Sequence, residues 1–548
     1  MKRFLIYLSI ALVGLTSCQK SLKQIVKEAE KATFIIYTYD EFGSPSGLGS
    51  GFFIDKNGTG ITNYHVLDGA VKAIIKMTDD MEYEIENVIA SNKQWDIAKF
   101  QIKNPQNQTF PTLKFSNKEA QKGEKVYNIS SPLGLEHSVS EGIVSSLRED
   151  KHGAIIQITA PISSGSSGSP ILNEKGEVVA VATFQTRSGQ NLNFGVIINE
   201  NKLLALKDNP FAKSNPKFNS MDNFIILNIP SDRAPEIILN AIEFGKSATT
   251  LYITYTNLNL MGGDSYGIWC ELNKKDDGFL IHDKNKNKKY YVTSSTIGLN
   301  KDNYTNVPLA TTHKFKVYFP SIKDKLSDID VVYGYTSRGW QFTNINLDEY
   351  RNSINVNPQS YQREYAFSIM REGELDYAQY LLLECLENEP DDVNSLNALG
   401  IISYVIDNNN DALYYLTEAI EQNPNNATSY INRHYIYASK QNYSAALYDI
   451  TKAINICPDQ PDNFLYRALL YMDMEDWKNA KVDLDKVIAS EDFKKDAMVY
   501  VYRVYANAYL ENWREACKDI HTAYNLTNDR ELEKELQGFW NSCGCNRY

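Results

Sequence analysis

Short apolar runs separated by clusters of Gly, Asn, Asp and Ser fill residues 31–207. Runs at 33–39, 51–54, 73–77, 97–102, 125–129, 154–158 and 177–183 have strand length, and no long 3.6-period segment interrupts them, so this region reads as all-β. A linker at 208–222 is rich in Pro, Asn and Lys. Strand-like runs resume at 223–229, 250–256, 267–272, 289–292, 314–319 and 329–335, which predicts a β-sandwich-like domain over 223–350. Within it, Asp283-Lys284-Asn285-Lys286-Asn287 imitates the start of a calcium loop. Lys288 stands where the turn glycine belongs and Ser294 where a bidentate carboxylate belongs. The segment therefore reads as a solvated hairpin turn.

Beyond residue 358 the pattern becomes a long-range repeat. Ala378, Ala412, Ala446 and Ala480 stand 34 residues apart, Ala516 follows 36 later, and Pro390, Pro424 and Pro458 keep the 34-residue period. Ala366, Gly400 and Ala468 occupy a second small site, which His434 breaks. Small residues at helix crossings and Pro at turns, at this period, form the tetratricopeptide pattern, so residues 358–530 read as an α-solenoid of about five repeats with a tail at 531–548. His434 predicts local splaying of its helix pair. Such a stack has a concave groove, and the recurring tyrosines point to a protein or peptide partner there.

Composition narrows the function classes. Lys and Arg number 56 against 68 Asp and Glu, a net charge of -12. With no long basic run to offset it, this excludes nucleic acid as a partner. None of the seven cysteines lies between Cys18 and Cys270, so the first β region holds together without disulfides. The others read mostly as small buried residues. Cys543-Gly544-Cys545, with no neighbouring His, falls short of the four ligands of structural zinc; no metal or cofactor is predicted.

The N-terminus is an address. Lys2-Arg3 precedes an apolar stretch at 4–14 and then small residues, so residues 1–17 read as an export signal too short to span a bilayer. Its end, Leu15-Thr16-Ser17-Cys18, resembles the bacterial lipobox. That resemblance implies an acylated Cys18, a tether at 18–30 and a lipid-anchored protein of the bacterial cell envelope. Acyl chains contribute ~0.8 kcal/mol per buried CH₂, so several hold a soluble body on a membrane.

Three segments carry chemistry. Thr62-Asn63-Tyr64-His65-Val66-Leu67 places His65 at a strand end, Gln94-Trp95-Asp96-Ile97-Ala98 places Asp96 at a strand start, and Gly165-Ser166-Ser167-Gly168-Ser169-Pro170 places Ser167 in a tight turn. Each alone is ordinary. Together they run His, Asp, Ser, with 31 and 71 residues between them, the chain order of chymotrypsin rather than of subtilisin or the α/β-hydrolases. Of the five serines in the loop, only Ser167 has Gly two before, Gly one after and Pro three after.

Residues 49–70, 128–147 and 157–170 resemble the HtrA-type proteases of the trypsin fold. The resemblance implies two six-stranded antiparallel β-barrels, the chymotrypsin-like architecture, with a triad in their cleft. Ser167 is then the nucleophile, His65 the base and Asp96 the group fixing the imidazole tautomer. Backbone N–H groups of Gly165 and Ser167 form the oxyanion hole. Asn193, Phe194 and Gly195 resemble the strand that takes substrate by β-addition, and Ala160, Pro161 and Ile162 lie near the primary pocket, which favours small or aliphatic side chains. Ser166 and Ser169 depart from the family's usual residues and bear on substrate preference. The chain thus reads as a serine endopeptidase of envelope proteins, its repeats recruiting substrates or partners. The alternative is a tethered, non-catalytic or self-processing scaffold that works through the repeat groove.

Overall fold

The computed structural model describes residues 21–545, except 105, 131–137, 151–152, 163–164, 186–192, 207–210, 212–217, 219–222, 233, 263–264, 269, 271–277, 298–304, 310, 334–339, 353–357, 372, 459, 491–492 and 528. The export signal and Cys18 lie outside the described residues. The chain divides into two compact units, one reaching to Asn223 and including Tyr350–Tyr361, the other formed by Phe224–Glu349 and Gln362–Tyr548.

The first unit contains two closed six-stranded antiparallel barrels. Strands β1 (Thr33–Tyr39), β2 (Pro45–Phe53), β3 (Thr59–Thr62), β4 (Lys72–Lys76), β5 (Glu82–Asn92) and β6 (Ile97–Ile102) close in the order β1-β2-β3-β6-β5-β4. Strands β7 (Lys125–Ser130), β8 (Ser138–Asp150), β9 (Gly153–Ile158), β10 (Pro170–Asn173), β11 (Val178–Gln185) and β12 (Asn193–Ile197) close in the order β10-β11-β12-β9-β8-β7. All seven predicted runs fall on strands. The two longest strands, β5 and β8, were missed because more than half their residues are polar, which interrupts any apolar run. The first barrel is filled by aromatics: Phe53 meets Phe34 and Phe110 at ring separations of 4.6 Å each.

Two segments expected to be loose are packed. Helix α1 (Leu22–Glu30) begins in a capping box of Ser21 and Gln24, and Ile25 and Ala29 enter the core cluster that holds Leu172 and Val178. The stretch assigned as a tether is therefore helical from Leu22 onward. In the linker, buried Phe211 sets its ring edge-on to Tyr64 at 5.6 Å and is met by Phe218 at 5.4 Å. A short helix α2 (Tyr64–Leu67) follows β3, and α3 (Glu200–Leu204) follows β12.

The second unit joins the middle β region to the helical tail. Strands β13 (Phe224–Pro230), β14 (Ile237–Phe244), β15 (Ala248–Thr256), β19 (Ser294–Ser295) and β21 (Thr312–Pro320) form one sheet. Strands β17 (Phe279–Asp283), β18 (Lys288–Tyr291), β22 (Asp328–Tyr333) and β23 (Gln341–Asn346) form another, and β16 (Ser265–Ile268) pairs with β20 (Thr305–Pro308). Trp340 bridges the larger sheets, 5.8 Å from the ring of Phe279 and 6.1 Å from that of Phe315. The calcium-loop imitation is the β17–β18 hairpin, where Asp283 Oδ1 accepts from the backbone of Asn285 and Lys286.

After α4 (Leu347–Asn352), five helix pairs follow among the described residues: α5 (Pro358–Arg371) with α6 (Leu375–Asn388), α7 (Val393–Val405) with α8 (Asn409–Gln422), α9 (Ala427–Ser439) with α10 (Tyr443–Ile456), α11 (Pro461–Asp473) with α12 (Trp477–Ala489), and α13 (Ala497–Tyr509) with α14 (Trp513–Leu526). The five periodic alanines, Ala378 to Ala516, are all fully buried. His434 does not splay its pair. Its Nδ1–H donates to the Ala446 carbonyl at 2.9 Å, and α9 packs on α10 as closely as α7 does on α8. Arg433–Asp449, Arg467–Asp483 and Arg503–Asp519 tie three successive pairs through two-pronged ion pairs. The tail at 531–548 is largely a further helix, α15 (Arg530–Ser542), whose Leu536 is fully buried. A disulfide between Cys517 and Cys545 staples it to α14. Cys545 is therefore not part of a thiol pair with Cys543. No helix among the described residues is long and apolar enough to cross a membrane.

Candidate active site

His65 lies on the helical turn α2, directly after β3, rather than on a strand end as the sequence suggested. Asp96 closes the turn between β5 and β6. Its φ of 55° is left-handed, a conformation that Asp tolerates better than most residues. Asn92 Oδ1 holds the Trp95 N–H at 2.8 Å, and Asn63 Nδ2 holds the Asp96 carbonyl at 2.8 Å.

The carboxylate of Asp96 is nearly enclosed, and three donors converge on it. The His65 backbone N–H donates to Oδ1 at 3.0 Å, His65 Nδ1 meets Oδ2 at 2.8 Å, and the Thr183 hydroxyl donates to Oδ2 at 2.5 Å. A buried carboxylate requires such satisfaction. With Nδ1–H committed to it, the imidazole presents Nε2 as a base. The imidazole side chain is 50% exposed while that of Asp96 is 10% exposed, so the imidazole faces solvent and the carboxylate does not.

Ser167 lies in the turn before β10. Its hydroxyl donates to the Thr183 carbonyl at 3.3 Å, not to His65. Thr183 thus touches both the serine and the carboxylate. It occupies a β-bulge in β11, where Ala182 pairs with Gly195 and Phe184 with Phe194, leaving Thr183 out of register. Bulges re-aim side chains next to sites of this kind. Thr183 was missed in the sequence, where it is only a hydroxyl at the end of an apolar run.

The serine turn is braced from behind. Ser50 donates its backbone N–H to the Ser167 carbonyl at 2.7 Å and its hydroxyl to the Gly165 carbonyl at 2.7 Å. The N–H groups of Gly165 and Ser167 donate to no protein acceptor among the described residues. A side chain at Gly168, where φ is 92°, would place Cβ 2.1 Å from the Ser50 carbonyl, so only glycine closes this turn. Ser166 and Ser169 are buried and point toward β7. The Ser166 hydroxyl donates to Ser130 Oγ at 3.0 Å and that of Ser169 to Asn128 Oδ1 at 2.7 Å. They brace the loop against β7.

The expected substrate strand is misassigned. Asn193, Phe194 and Gly195 sit on β12, hydrogen-bonded to β11 on one side and β9 on the other. Both edges are taken, so nothing can add there. Asn193 instead donates from Nδ2 to the Ala160 carbonyl at 2.9 Å. Ala160 and Ile162 are buried, and Pro161 is exposed with its carbonyl accepting from the Ser140 hydroxyl.

Two six-stranded barrels carrying a His–Asp pair and a serine in a glycine-closed turn define a trypsin-like arrangement. Residues 49–181 match the trypsin-like peptidase domain family. Over 159 residues the chain is 38% identical to "Probable periplasmic serine endoprotease DegP-like" of Pseudomonas savastanoi, covering 28% of this chain and 32% of that one. Over 155 residues it is 32% identical to "Protease Do-like 1, chloroplastic" of Arabidopsis thaliana, covering 27% and 35%. The chain thus spans about a third of the length of these curated relatives. The solved serine endoprotease of Yersinia pestis superposes with a TM-score of 0.30 at 22% identity, over 40% of this chain and 74% of that one, too loosely to extend the likeness.

Proposed function

We propose that residues 31–207 hydrolyse peptide bonds of envelope proteins by serine catalysis, and that the helical pairs are tetratricopeptide-type repeats that recruit partners or substrates. The observation that carries this reading is the 2.8 Å contact of His65 Nδ1 with a nearly enclosed Asp96 carboxylate, beside a serine whose own N–H and that of Gly165 meet no protein acceptor among the described residues. Ser167 rotates about χ1 from the Thr183 carbonyl toward Nε2 and attacks the scissile carbonyl as His65 takes its proton. The N–H groups of Gly165 and Ser167 receive the developing oxyanion, and the imidazolium, held by Asp96, protonates the leaving amine. With β12 enclosed, substrate pairs with another segment; the end of β11 at Thr183, beside Ser167, is the nearest candidate.

A fluorophosphonate probe tests this. The wild-type chain labels and Ser167→Ala does not. Equal labelling of both removes Ser167 from the reaction, and no labelling of either favours the non-catalytic scaffold. Acylation of Cys18 is the proposed membrane tether. Cys18→Ser is expected to move the protein from the membrane pellet to the supernatant, and retention in the pellet rejects it.

A further inference from the structure

The face of the helical stack made by its first helices is already in use. Helix α9 touches α7, while no comparable contact joins α8 to α10, so at these two pairs the first helices lie on the inner side of the curve. The middle β region lies on this face, gripped by residues spaced at the repeat period. Asn394 donates from Nδ2 to the Pro235 carbonyl at 2.9 Å, and Thr428, 34 positions later, donates to Glu236 Oε1 at 2.8 Å. Asn432 and Tyr466, again 34 apart, hold the next segment.

Asn432 takes that segment by its main chain. Its Nδ2 donates to the Leu258 carbonyl at 2.8 Å and its Oδ1 accepts from the Leu260 N–H at 2.9 Å. Tyr466 bonds the side chain of Asn259 between them. Leu258 is 2% exposed and Leu260 9%, and Met261 packs against the cluster of Tyr430, Ile450 and Leu470. Asn257 and Asn259 shape the segment from within, accepting from the N–H groups of Asn259 and Met261. A two-way amide bond to a peptide backbone, flanked by buried aliphatic side chains two residues apart, is how a groove recognises a peptide rather than how two surfaces merely touch.

We propose that the first-helix face of the third and fourth pairs is a main-chain recognition site filled in cis by residues 257–261. An external segment, uncharged and carrying aliphatic side chains two residues apart, enters it only by displacing that occupant. This refines the reading of the repeats as a partner-binding array and is independent of the peptidase reading.

The test uses the full chain and a fluorescent peptide of residues 254–262. An occupied site weakens apparent affinity by the fraction that is open. The peptide is expected to bind a Leu258→Ala/Leu260→Ala chain about tenfold or more tightly than wild type, by the same relation. Adding Asn432→Ala should abolish that binding. Equal binding to wild type and the double variant, binding to neither, or binding that survives Asn432→Ala overturns the proposal. Hydrogen exchange gives a second readout in case the double variant misfolds. In Asn432→Ala alone, the Leu260 amide should exchange about tenfold or more faster while α9 amides keep their protection; unchanged Leu260 exchange overturns it equally. Fluorophosphonate labelling at Ser167 is unaffected throughout, so failure here and failure of the peptidase reading are distinguishable.

Discussion

The double barrel and the helical stack solve opposite problems. In the barrels the proposed catalytic group is made from residues far apart in sequence: His65 and Asp96 are 31 positions apart, and Asp96 and Thr183 are 87. In the stack each stabilising pair is local, and Arg433, Arg467 and Arg503 each find an Asp 16 positions on. A site assembled at long range is precise but has no spare parts. A stack assembled at short range repeats its parts, so the loss of one should be felt mainly by its neighbours.

The sharpest break of that contrast is chemical. Asp96→Asn should lower kcat by about 10⁴-fold, because the imidazole is then held in the wrong tautomer, while circular dichroism stays unchanged. Substituting Thr183 with Val should cost about 10- to 100-fold in kcat, the equivalent of one hydrogen bond to a charged group. Because Thr183 acts through Asp96, the pH profile of kcat/KM should shift as well, and Ser should restore most of the rate. A Thr183→Val enzyme with unchanged kcat and profile removes Thr183 from the site.

In the stack the expected losses are structural. Asp483→Leu strands the Arg467 guanidinium, which is only partly buried, so the cost should fall near or below the low end of the ~3–5 kcal/mol of a broken buried pair. Hydrogen exchange should rise in α11 and α12 while the barrels stay protected. A uniform rise across the chain contradicts neighbour-only coupling. Cys545→Ser opens the loop between Cys517 and Cys545 and should destabilise α15 by roughly 3 kcal/mol, read as early melting of α15 alone.

The smallest effect is a pair of opposed pH dependences within the second unit. Burial lowers the pKa of His434 below its ordinary value, so the unfolded chain binds this proton first. The stability from the neutral imidazole is full above pH ~6.5 and is lost as pH falls below it. Burial raises the carboxyl pKa of Glu236, which the hydrogen bond from the Thr428 hydroxyl partly opposes. Its neutral form is favoured in the fold, so that stability is full below pH ~4.3 and is lost as pH rises through the raised value. Melting curves of His434→Gln should lose the acid-side decline, and those of Glu236→Gln the decline on the other side. Unchanged curves place both groups outside the folding transition.

Sequence patterning determined the class of each region, because its signals are local. Strand-length runs between turn residues marked the barrels, and a 34-residue period of buried alanines marked the stack. The residue types and order of His65, Asp96 and Ser167 were equally legible, since one glycine-closed turn admits one register. Tertiary structure decided what depended on distant partners. Strands β5 and β8 hide in the sequence because polar residues outnumber apolar ones along both. Thr183 has no local mark; it matters because a bulge turns it toward Asp96. The edges of β12 are taken by β9 and β11, which no run of residues in β12 announces. The Cys517–Cys545 bridge needed α15 folded back on α14. The inner face of the stack, open by its pattern, is covered by residues about 170 positions away in sequence, and a contact at that range is written in neither segment alone.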